Sequence, residues 1–243
     1  MSRAAVFLDK DGTLVKDVPY NVDPVLVQLA PGVNEGAAAL HEADFLLVVV
    51  SNQSGIARGF FPEVSIAPMK RCLEMKLAEA GAPIAGFYYC PHHPQGAVAE
   101  YAIECECRKP RPGMLLQAAI DLEIDLARSW LIGDILDDIE AAKAAGCRAV
   151  LLNNGHETEW ATGGRRVPEF IASDFAGAAK YILAHHRCVP LRERGRSRGA
   201  KGDHARARPR PRRAIQGGIL PGLFAFPPLF SPRRLLAASG RHR

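Results

Sequence analysis

The chain has 243 residues, of which 48% are hydrophobic and 23% are charged, and its formal net charge is +5. This is enough apolar material for the core of one large domain or two small ones. The longest apolar runs are far shorter than the roughly 20 residues of a membrane-spanning helix, and the first carboxylate, Asp9, comes too early for a signal peptide. We therefore expect a cytoplasmic protein that does not cross a membrane.

The positive charge is confined to the C-terminal part of the chain. Residues 1–186 carry 16 Lys and Arg against 24 Asp and Glu, whereas residues 187–243 carry 15 against 2. We predict a globular domain over residues 1–186 and a disordered Arg/Pro/Gly-rich tail over residues 187–243, because the tail offers little to bury. The tail could alternatively be an electrostatic arm for nucleic acid, although no aromatic interleaving or domain motif supports sequence readout.

Short apolar runs alternate with helix-like stretches in the first 186 residues. The runs predict strands over Ala4–Leu8, Phe45–Val50, Ile84–Tyr89, Trp130–Ile132 and Ala149–Leu152. The stretches predict helices over Gly32–Ala43, Glu63–Ala80, Gly113–Leu122, Asp137–Ala145 and Asp174–His185. Pro31 and Pro112 precede two of the helix starts, as helix punctuation requires. The alternation predicts an α/β fold, a Rossmann-like three-layer sandwich with a central parallel sheet.

Polar residues follow three of the predicted strands, where ligands bind in folds of this kind. Asp9 and Asp11 follow the first strand, Ser51 ends the second, and Asp134 follows the fourth. Close carboxylates repel, so a divalent cation such as Mg²⁺ is the natural compensation, and it would accept a phosphate oxygen. One carboxylate can attack phosphorus while the other protonates the leaving oxygen. Ser51 and the backbone N–H groups after it can bind the phosphoryl oxygens.

A second group of residues has the spacing of a zinc site. Cys90 and His92 are separated by twelve residues from Cys105 and Cys107, which gives two tight pairs of soft or borderline ligands. His93 is also available, so spacing alone does not decide which histidine binds. A disulfide or unrelated buried thiols are the alternatives, and a cytosolic compartment disfavours the disulfide. A structural Zn²⁺ here would hold the basic residues that follow the loop at the edge of the sheet.

Several segments resemble the motifs of the haloacid dehalogenase-like (HAD-like) phosphohydrolases. Those segments are Phe7–Leu14 for the first motif, and Ser51, Lys109 and Gly133–Asp134 with Asp138 for the others.

The resemblance implies that Asp9 is a nucleophile that forms an aspartyl-phosphate and that Asp11 is the general acid and base. It implies that Lys109 stabilises the phosphoryl charge. It also implies that Asp134 holds Mg²⁺ together with Asp9 and the backbone carbonyl of Asp11.

The sequence around the cysteines resembles a narrower group, the D-glycero-D-manno-heptose-1,7-bisphosphate 7-phosphatase family, whose zinc loop the related histidinol-phosphatases share. The resemblance rests on residues 88–94 and 105–114. It implies Zn²⁺ ligands at Cys90, His92, Cys105 and Cys107. It implies substrate contacts from Arg108 and Lys109. It also implies contacts from Asp17 and Tyr20 in the Asp17–Tyr20 loop, and from the segment Ser51, Asn52, Gln53 and Ser54. Ile135 departs from the family, which has Lys or another polar residue there.

Only 41 residues separate Asp9 from Ser51, and they already contain a helix and a strand, so no separate cap domain is expected. The predicted function is Mg²⁺-dependent hydrolysis of the 7-phosphate of a heptose bisphosphate by a monomer with an open site. Histidinol phosphate is the alternative substrate, and a phosphate- or nucleic-acid-binding protein is the alternative class. Arg108 is the expected contact for a second phosphate. Arg58 and Arg111 are weaker candidates for that contact and are interpreted as solvated surface charges. His156 follows a strand and could touch a ligand, but it is interpreted as part of a loop turn.

Overall fold

The structure, a computed structural model, describes residues 2–158, 160–161 and 163–186. The predicted disordered tail, residues 187–243, lies outside the described residues, so the domain boundary and the disorder stay predictions.

A six-stranded parallel sheet forms the centre of the part of the chain that the structure describes. Its strands are β1 (Ala5–Leu8), β2 (Leu46–Asn52), β3 (Gly86–Cys90), β4 (Trp130–Gly133), β5 (Arg148–Leu152) and β6 (Phe170–Ala172). Their spatial order is β3-β2-β1-β4-β5-β6, so the chain extends the sheet first to one side of β1 and then to the other. The strand order therefore reverses at β1, and a crevice between the loops at this position is where such sheets bind ligands.

Helices cover both faces of the sheet. They are α1 (Val33–Glu42), α2 (Ile66–Glu79), α3 (Gly113–Asp121), α4 (Leu136–Ala145) and α5 (Phe175–His185). All five predicted helices are present, with ends within one or two residues of the prediction except at the start of α2, where Glu63–Ser65 forms a 3₁₀ turn. Asp174 caps α5 by accepting a hydrogen bond from Gly177 N at 2.7 Å.

Alternation along the buried strands divides the core into two layers. In β1, Val6 and Leu8 belong to one apolar cluster and Ala5 and Phe7 belong to the other. The first cluster includes buried side chains of α1, α2 and α5, and the second includes those of α3 and α4. The three-layer α/β sandwich predicted from the apolar runs is confirmed.

The sixth strand, β6, was not predicted. It has three residues, and Phe170 and Ile171 are 38% and 47% exposed, so it lacks the continuous apolar run that marked the buried strands. Between Asp9 and Ser51 the chain forms a short 3₁₀ turn, α1 and β2 with no inserted cap domain, as predicted. None of the helices in the described ranges has the length and apolar character needed to cross a bilayer.

Candidate active site and metal centres

Lys109 is the centre of a buried ion-pair cluster at the carboxyl edge of the sheet. Its Nζ lies 2.5 Å from Asp9 Oδ1 and 2.6 Å from Asp138 Oδ1, and it donates to the Val50 carbonyl at 3.0 Å. The residue is only 2% exposed. Burial alone would lower the pKa of Lys109, but the charges of Asp138 and Asp9 raise it above its usual range, so the ammonium stays charged.

Three buried carboxylates lie close together at this site, and two of them contact the Lys109 ammonium. Oxygen atoms of Asp9, Asp134 and Asp138 all lie within 4.8 Å of one another. Burial, followed by the charge of Asp9, raises the pKa of Asp134 to about 9, and burial raises the pKa of Asp138 to about 6. These shifts indicate negative charge that Lys109 does not fully compensate. An all-oxygen donor set with excess negative charge suits Mg²⁺.

The third carboxylate beside Asp9 and Asp134 is Asp138, whose role the sequence analysis left unassigned. The Asp11 carboxylate lies apart, because Lys10 Nζ binds its Oδ1 at 2.6 Å and Gln53 Nε2 donates to its Oδ2 at 3.2 Å. The Asp11 side chain remains 33% exposed, which leaves it open to proton exchange with a ligand or water. That the Asp11 backbone carbonyl binds the metal stays a prediction.

Residues at the end of β2 and just after it hydrogen-bond to Asp11 and to the backbone of Lys109. Gln53 Nε2 donates to Ser51 Oγ at 2.8 Å as well as to Asp11. Asn52 holds the backbone of Lys109 at both ends, because its Oδ1 accepts from Lys109 N at 3.1 Å and its Nδ2 donates to Lys109 O at 3.2 Å. Asn52 therefore positions Lys109, and its predicted contact with substrate stays a prediction, as does that of half-buried Ser54.

The loop after β5 closes one side of the carboxylate cluster. His156 Nδ1 lies 2.6 Å from Asp134 Oδ2, and Asn154 Nδ2 donates to the Gly12 carbonyl at 2.6 Å. Gly12 has a φ of 78°, and a Cβ there would collide with Asp134 and His156. Sequence analysis interpreted His156 as part of a loop turn and missed this contact, although its position after a strand end was a usable signal.

The four predicted zinc ligands form a compact cluster. The Sγ atoms of Cys90 and Cys107 lie 3.5 and 3.3 Å from that of Cys105, and His92 Nδ1 lies 3.4 Å from Cys107 Sγ and 3.7 Å from Cys90 Sγ. Zn–S bonds of about 2.3 Å give tetrahedral edges of about 3.8 Å, close to these separations. A disulfide requires about 2.05 Å, so the disulfide alternative does not describe this geometry. Hydrogen bonding from Cys90 lowers the pKa of Cys107 to about 5, which favours a thiolate.

Of the two adjacent histidines, His92 faces the cysteines and His93 does not. His93 Nδ1 accepts from Gln95 N at 3.1 Å, and its Nε2 lies 3.1 Å from Arg58 Nη2. Partial burial, followed by the charges of Arg108 and Arg58, lowers the pKa of His93 below its usual value. The structure thus groups His92 with the three cysteines and places His93 beside Arg58.

The predicted Asp17–Tyr20 loop contacts Phe60, which lies beyond the Ser51–Ser54 segment in the chain. Tyr20, in the Asp17–Tyr20 loop, has a φ of 56° and is 48% exposed, and its ring centroid lies 4.6 Å from that of Phe60. Asp17 is exposed. Contacts of Asp17 and Tyr20 with substrate stay predictions.

Solved structures share this architecture. A putative HAD-like phosphatase from Mesorhizobium loti is 34% identical with a TM-score of 0.67, and the match covers 76% of this chain and 86% of that one. The D,D-heptose 1,7-bisphosphate phosphatase from B. bronchiseptica, complexed with magnesium and phosphate, is 33% identical with a TM-score of 0.64, covering 75% and 99%.

Residues 106–178 match a family model described as HAD-hydrolase-like. This match, the fold and the buried Asp–Lys cluster together identify the class of the protein as a HAD-like phosphoric monoester hydrolase. The D-glycero-β-D-manno-heptose-1,7-bisphosphate 7-phosphatase of Yersinia pestis is 41% identical over 184 residues, which are 75% of this chain and 97% of that protein. The enzyme of the same name from Escherichia coli K12 is 46% identical over 141 residues, covering 58% and 74%. The chain belongs to the D-glycero-β-D-manno-heptose-1,7-bisphosphate 7-phosphatase family, which confirms the resemblance.

Proposed function

We propose that the chain hydrolyses the 7-phosphate of a D-glycero-D-manno-heptose 1,7-bisphosphate with Mg²⁺ as cofactor. The observation that carries the proposal is the buried Asp9 carboxylate, held by Lys109 at 2.5 Å beside two further carboxylates at a sheet edge. The names of the relatives supply the substrate, since 41% identity extends over nearly the whole of the Yersinia pestis protein.

The reaction is derived from the side chains at this edge. A carboxylate oxygen of Asp9 attacks phosphorus, and Asp11 gives its proton to the departing sugar oxygen, which leaves an aspartyl-phosphate on Asp9. Asp11, now ionised, takes a proton from water as that water attacks phosphorus, and phosphate departs with Asp9 regenerated. Burial raises the pKa of Asp9, and the charge of Lys109 opposes this rise and holds the carboxylate in place. Ser51 binds phosphoryl oxygens where charge develops.

Mg²⁺, when bound, supplies positive charge to the phosphoryl oxygens. Asp9 and Asp134 would hold it, with the Asp11 carbonyl as the third group that the sequence assigns. Asp138 remains paired with Lys109.

We also propose that Cys90, His92, Cys105 and Cys107 hold a structural Zn²⁺. Four protein ligands complete a tetrahedron and leave no position for a reactive water, so this ion would not take part in the chemistry. Two of these ligands, Cys105 and Cys107, come just before Arg108 and Lys109 in the chain. The role of the zinc site is to fix the direction from which Lys109 enters the buried cluster.

The carboxylate cluster predicts an unusual pH dependence of stability. We expect the Mg²⁺-free, Zn²⁺-loaded protein to become less stable as the pH rises from about 5 to about 9. In this window the folded state keeps the proton on Asp138 up to about pH 6 and the proton on Asp134 up to about pH 9, because their pKa values are raised to about 6 and about 9. The unfolded state releases both protons near pH 3.8. The folded state therefore binds more protons, and its free energy of unfolding falls with rising pH.

Urea unfolding at a series of pH values, with and without Mg²⁺, measures this dependence. Mg²⁺ should stabilise the protein most at the alkaline end, because it binds the ionised carboxylates. Asp134→Asn should flatten the slope in the absence of Mg²⁺. A free energy of unfolding that rises with pH in the Mg²⁺-free wild type would contradict the raised pKa values of Asp134 and Asp138.

The proposed function is tested by initial rates on both anomers of the heptose bisphosphate, on histidinol phosphate and on an aryl phosphate. We expect the highest kcat/KM for a heptose bisphosphate, a requirement for Mg²⁺, and loss of turnover in Asp9→Asn. A rate for histidinol phosphate far above both heptose anomers would favour the alternative substrate. Full turnover in both Asp9→Asn and Asp11→Asn would contradict the mechanism.

A further inference from the structure

The two carboxylate oxygens of Asp134 have different surroundings. Oδ2 lies 2.6 Å from His156 Nδ1, whereas Oδ1 accepts from the Thr13 hydroxyl at the longer distance of 3.4 Å. The Asp134 side chain is 6% exposed and the His156 side chain is 35% exposed. A surface imidazole therefore contacts one oxygen of a buried carboxylate and leaves the other more weakly engaged.

The loop that carries His156 is fastened on both sides of the imidazole. Asn154 Nδ2 donates to the Gly12 carbonyl at 2.6 Å, and Asn154 Oδ1 accepts from His156 N at 3.4 Å. Glu157 Oε2 accepts from Leu136 N at 2.6 Å, at the first residue of α4. These bonds join the loop to the two segments that carry the acidic residues of the site, so the position of the imidazole is set by the loop.

Gly12 leaves the space in which the imidazole and the carboxylate meet. A Cβ at this position would collide with both Asp134 Oδ2 and His156 Nδ1. Any larger residue would therefore separate the two groups, in addition to the strain that its φ of 78° would cause.

An imidazole in this position is suited to orienting a carboxylate rather than to binding the ion itself, because Mg²⁺ takes oxygen ligands. Metal binding requires Asp134 to be ionised, and His156 Nδ1 then carries the hydrogen and donates it to Oδ2. The hydrogen bond occupies Oδ2 and leaves Oδ1 for a metal. One oxygen from each carboxylate suits the strict octahedral geometry of Mg²⁺, whereas Ca²⁺ also accepts both oxygens of one carboxylate.

We propose that His156 is a positioning residue that restricts Asp134 to binding a metal through one oxygen and so makes the site selective for Mg²⁺ over Ca²⁺. Removal of a group that hydrogen-bonds to a metal ligand typically weakens metal binding about 10- to 100-fold. This inference rests on the proposed function, because it concerns a residue that would hold the Mg²⁺ of that reaction.

Calorimetric titrations of the Zn²⁺-loaded, substrate-free protein with Mg²⁺ and with Ca²⁺ test the inference. In His156→Ala we expect Kd for Mg²⁺ to rise about 10- to 100-fold. Kd for Ca²⁺ should rise less, because the released Asp134 can give both oxygens to the larger ion. His156→Asn places an amide N–H near the position of Nδ1 and should restore most of the affinity and of the preference for Mg²⁺. His41→Ala, at a half-buried histidine of α1, is the matched control and should bind both ions as wild type does.

An unchanged Kd for Mg²⁺ in His156→Ala, or an equal rise for both ions, would overturn the positioning role. A lower Kd for Mg²⁺ would also overturn it, because His156 would then compete with the metal for Asp134. A wild-type protein that does not bind Mg²⁺ would overturn the proposed function, and this inference with it.

The Mg²⁺ dependence of the phosphatase rate gives a second measurement. In His156→Ala the Mg²⁺ concentration for half-maximal rate should rise by the same factor as Kd, while kcat at saturating Mg²⁺ should stay within about twofold of wild type. A lower kcat with an unchanged Mg²⁺ requirement would mean that His156 acts on the substrate rather than on Asp134, and would overturn the inference. Zinc content and thermal unfolding show that each variant is folded.

Discussion

Replacing Lys109 by Met is expected to abolish phosphatase activity and to lower the free energy of unfolding of the Mg²⁺-free protein by about 3–5 kcal/mol. Lys109 is the ammonium that contacts both Asp9 and Asp138, and Asp138 is fully buried. Removal of one partner of a buried ion pair leaves the other charge without compensation. The methionine side chain has a similar volume, so the loss reports charge rather than a cavity.

A double variant separates stability from catalysis. Lys109→Met combined with Asp138→Asn should recover much of the lost stability, because it removes one of the uncompensated carboxylates, but it should remain inactive. Lys70→Met is the control: Lys70 lies on the surface of α2, 3.6 Å from Glu74, and its loss should cost less than about 1 kcal/mol. Chemical denaturation measures the free energy of unfolding of Lys109→Met, of the double variant and of Lys70→Met. A Lys109→Met protein as stable as wild type would mean that the cluster is not charged as described.

Replacing Cys107 by Ala is expected to release the zinc and to produce the largest loss of thermal stability among single substitutions in the loop. The four ligands come from two short segments that are joined by a long loop, and the free energy of binding a structural Zn²⁺ is on the order of 10 kcal/mol. Without the metal, the backbone of Arg108 and Lys109 would no longer be held in place by the adjacent ligand Cys107. A displacement of about 1 Å at a positioning residue costs on the order of 100-fold in rate, so kcat should fall by about this factor.

Cys72→Ala, at a half-buried thiol outside the cluster, is the matched control and should keep zinc and activity. Chelator treatment of the wild type gives a second measurement, since it removes both metals. Restored activity should require Zn²⁺ and Mg²⁺ together. Full recovery with Mg²⁺ alone, in protein shown to contain no zinc, would contradict the proposed role of the loop.

Much of the fold could be predicted because its signals are local. The five predicted strands are marked by short apolar runs, and their ends pointed to Asp9, Ser51 and Asp134 before any contact was known. The short edge strand β6 was not predicted, because half-exposed Phe170 and Ile171 do not form a continuous apolar run. The zinc ligands were predicted from their paired spacing, and the choice of His92 over His93 was implied only by the family.

The contacts that the sequence could not supply join residues far apart in the chain. Lys109 meets Asp9 across 100 positions, and Asn52 holds Lys109 across 57. His156 reaches Asp134 because β4 and β5 are neighbours in the sheet, a fact of topology rather than of spacing. Arg58 was interpreted as a solvated surface charge, but it is partly buried and its Nη2 lies 3.1 Å from His93 Nε2, a contact across 35 positions.

The central claim is that Asp9 attacks phosphorus and that water attacks in a second step. Hydrolysis, in ¹⁷O-labelled water, of a phosphorothioate ester made chiral with ¹⁶O and ¹⁸O tests this directly, because the released thiophosphate then has a configuration that can be determined. Two successive in-line displacements, first by Asp9 and then by water, predict retention of configuration. Inversion would mean that water attacks the ester in a single step, and Asp9 would not be the nucleophile.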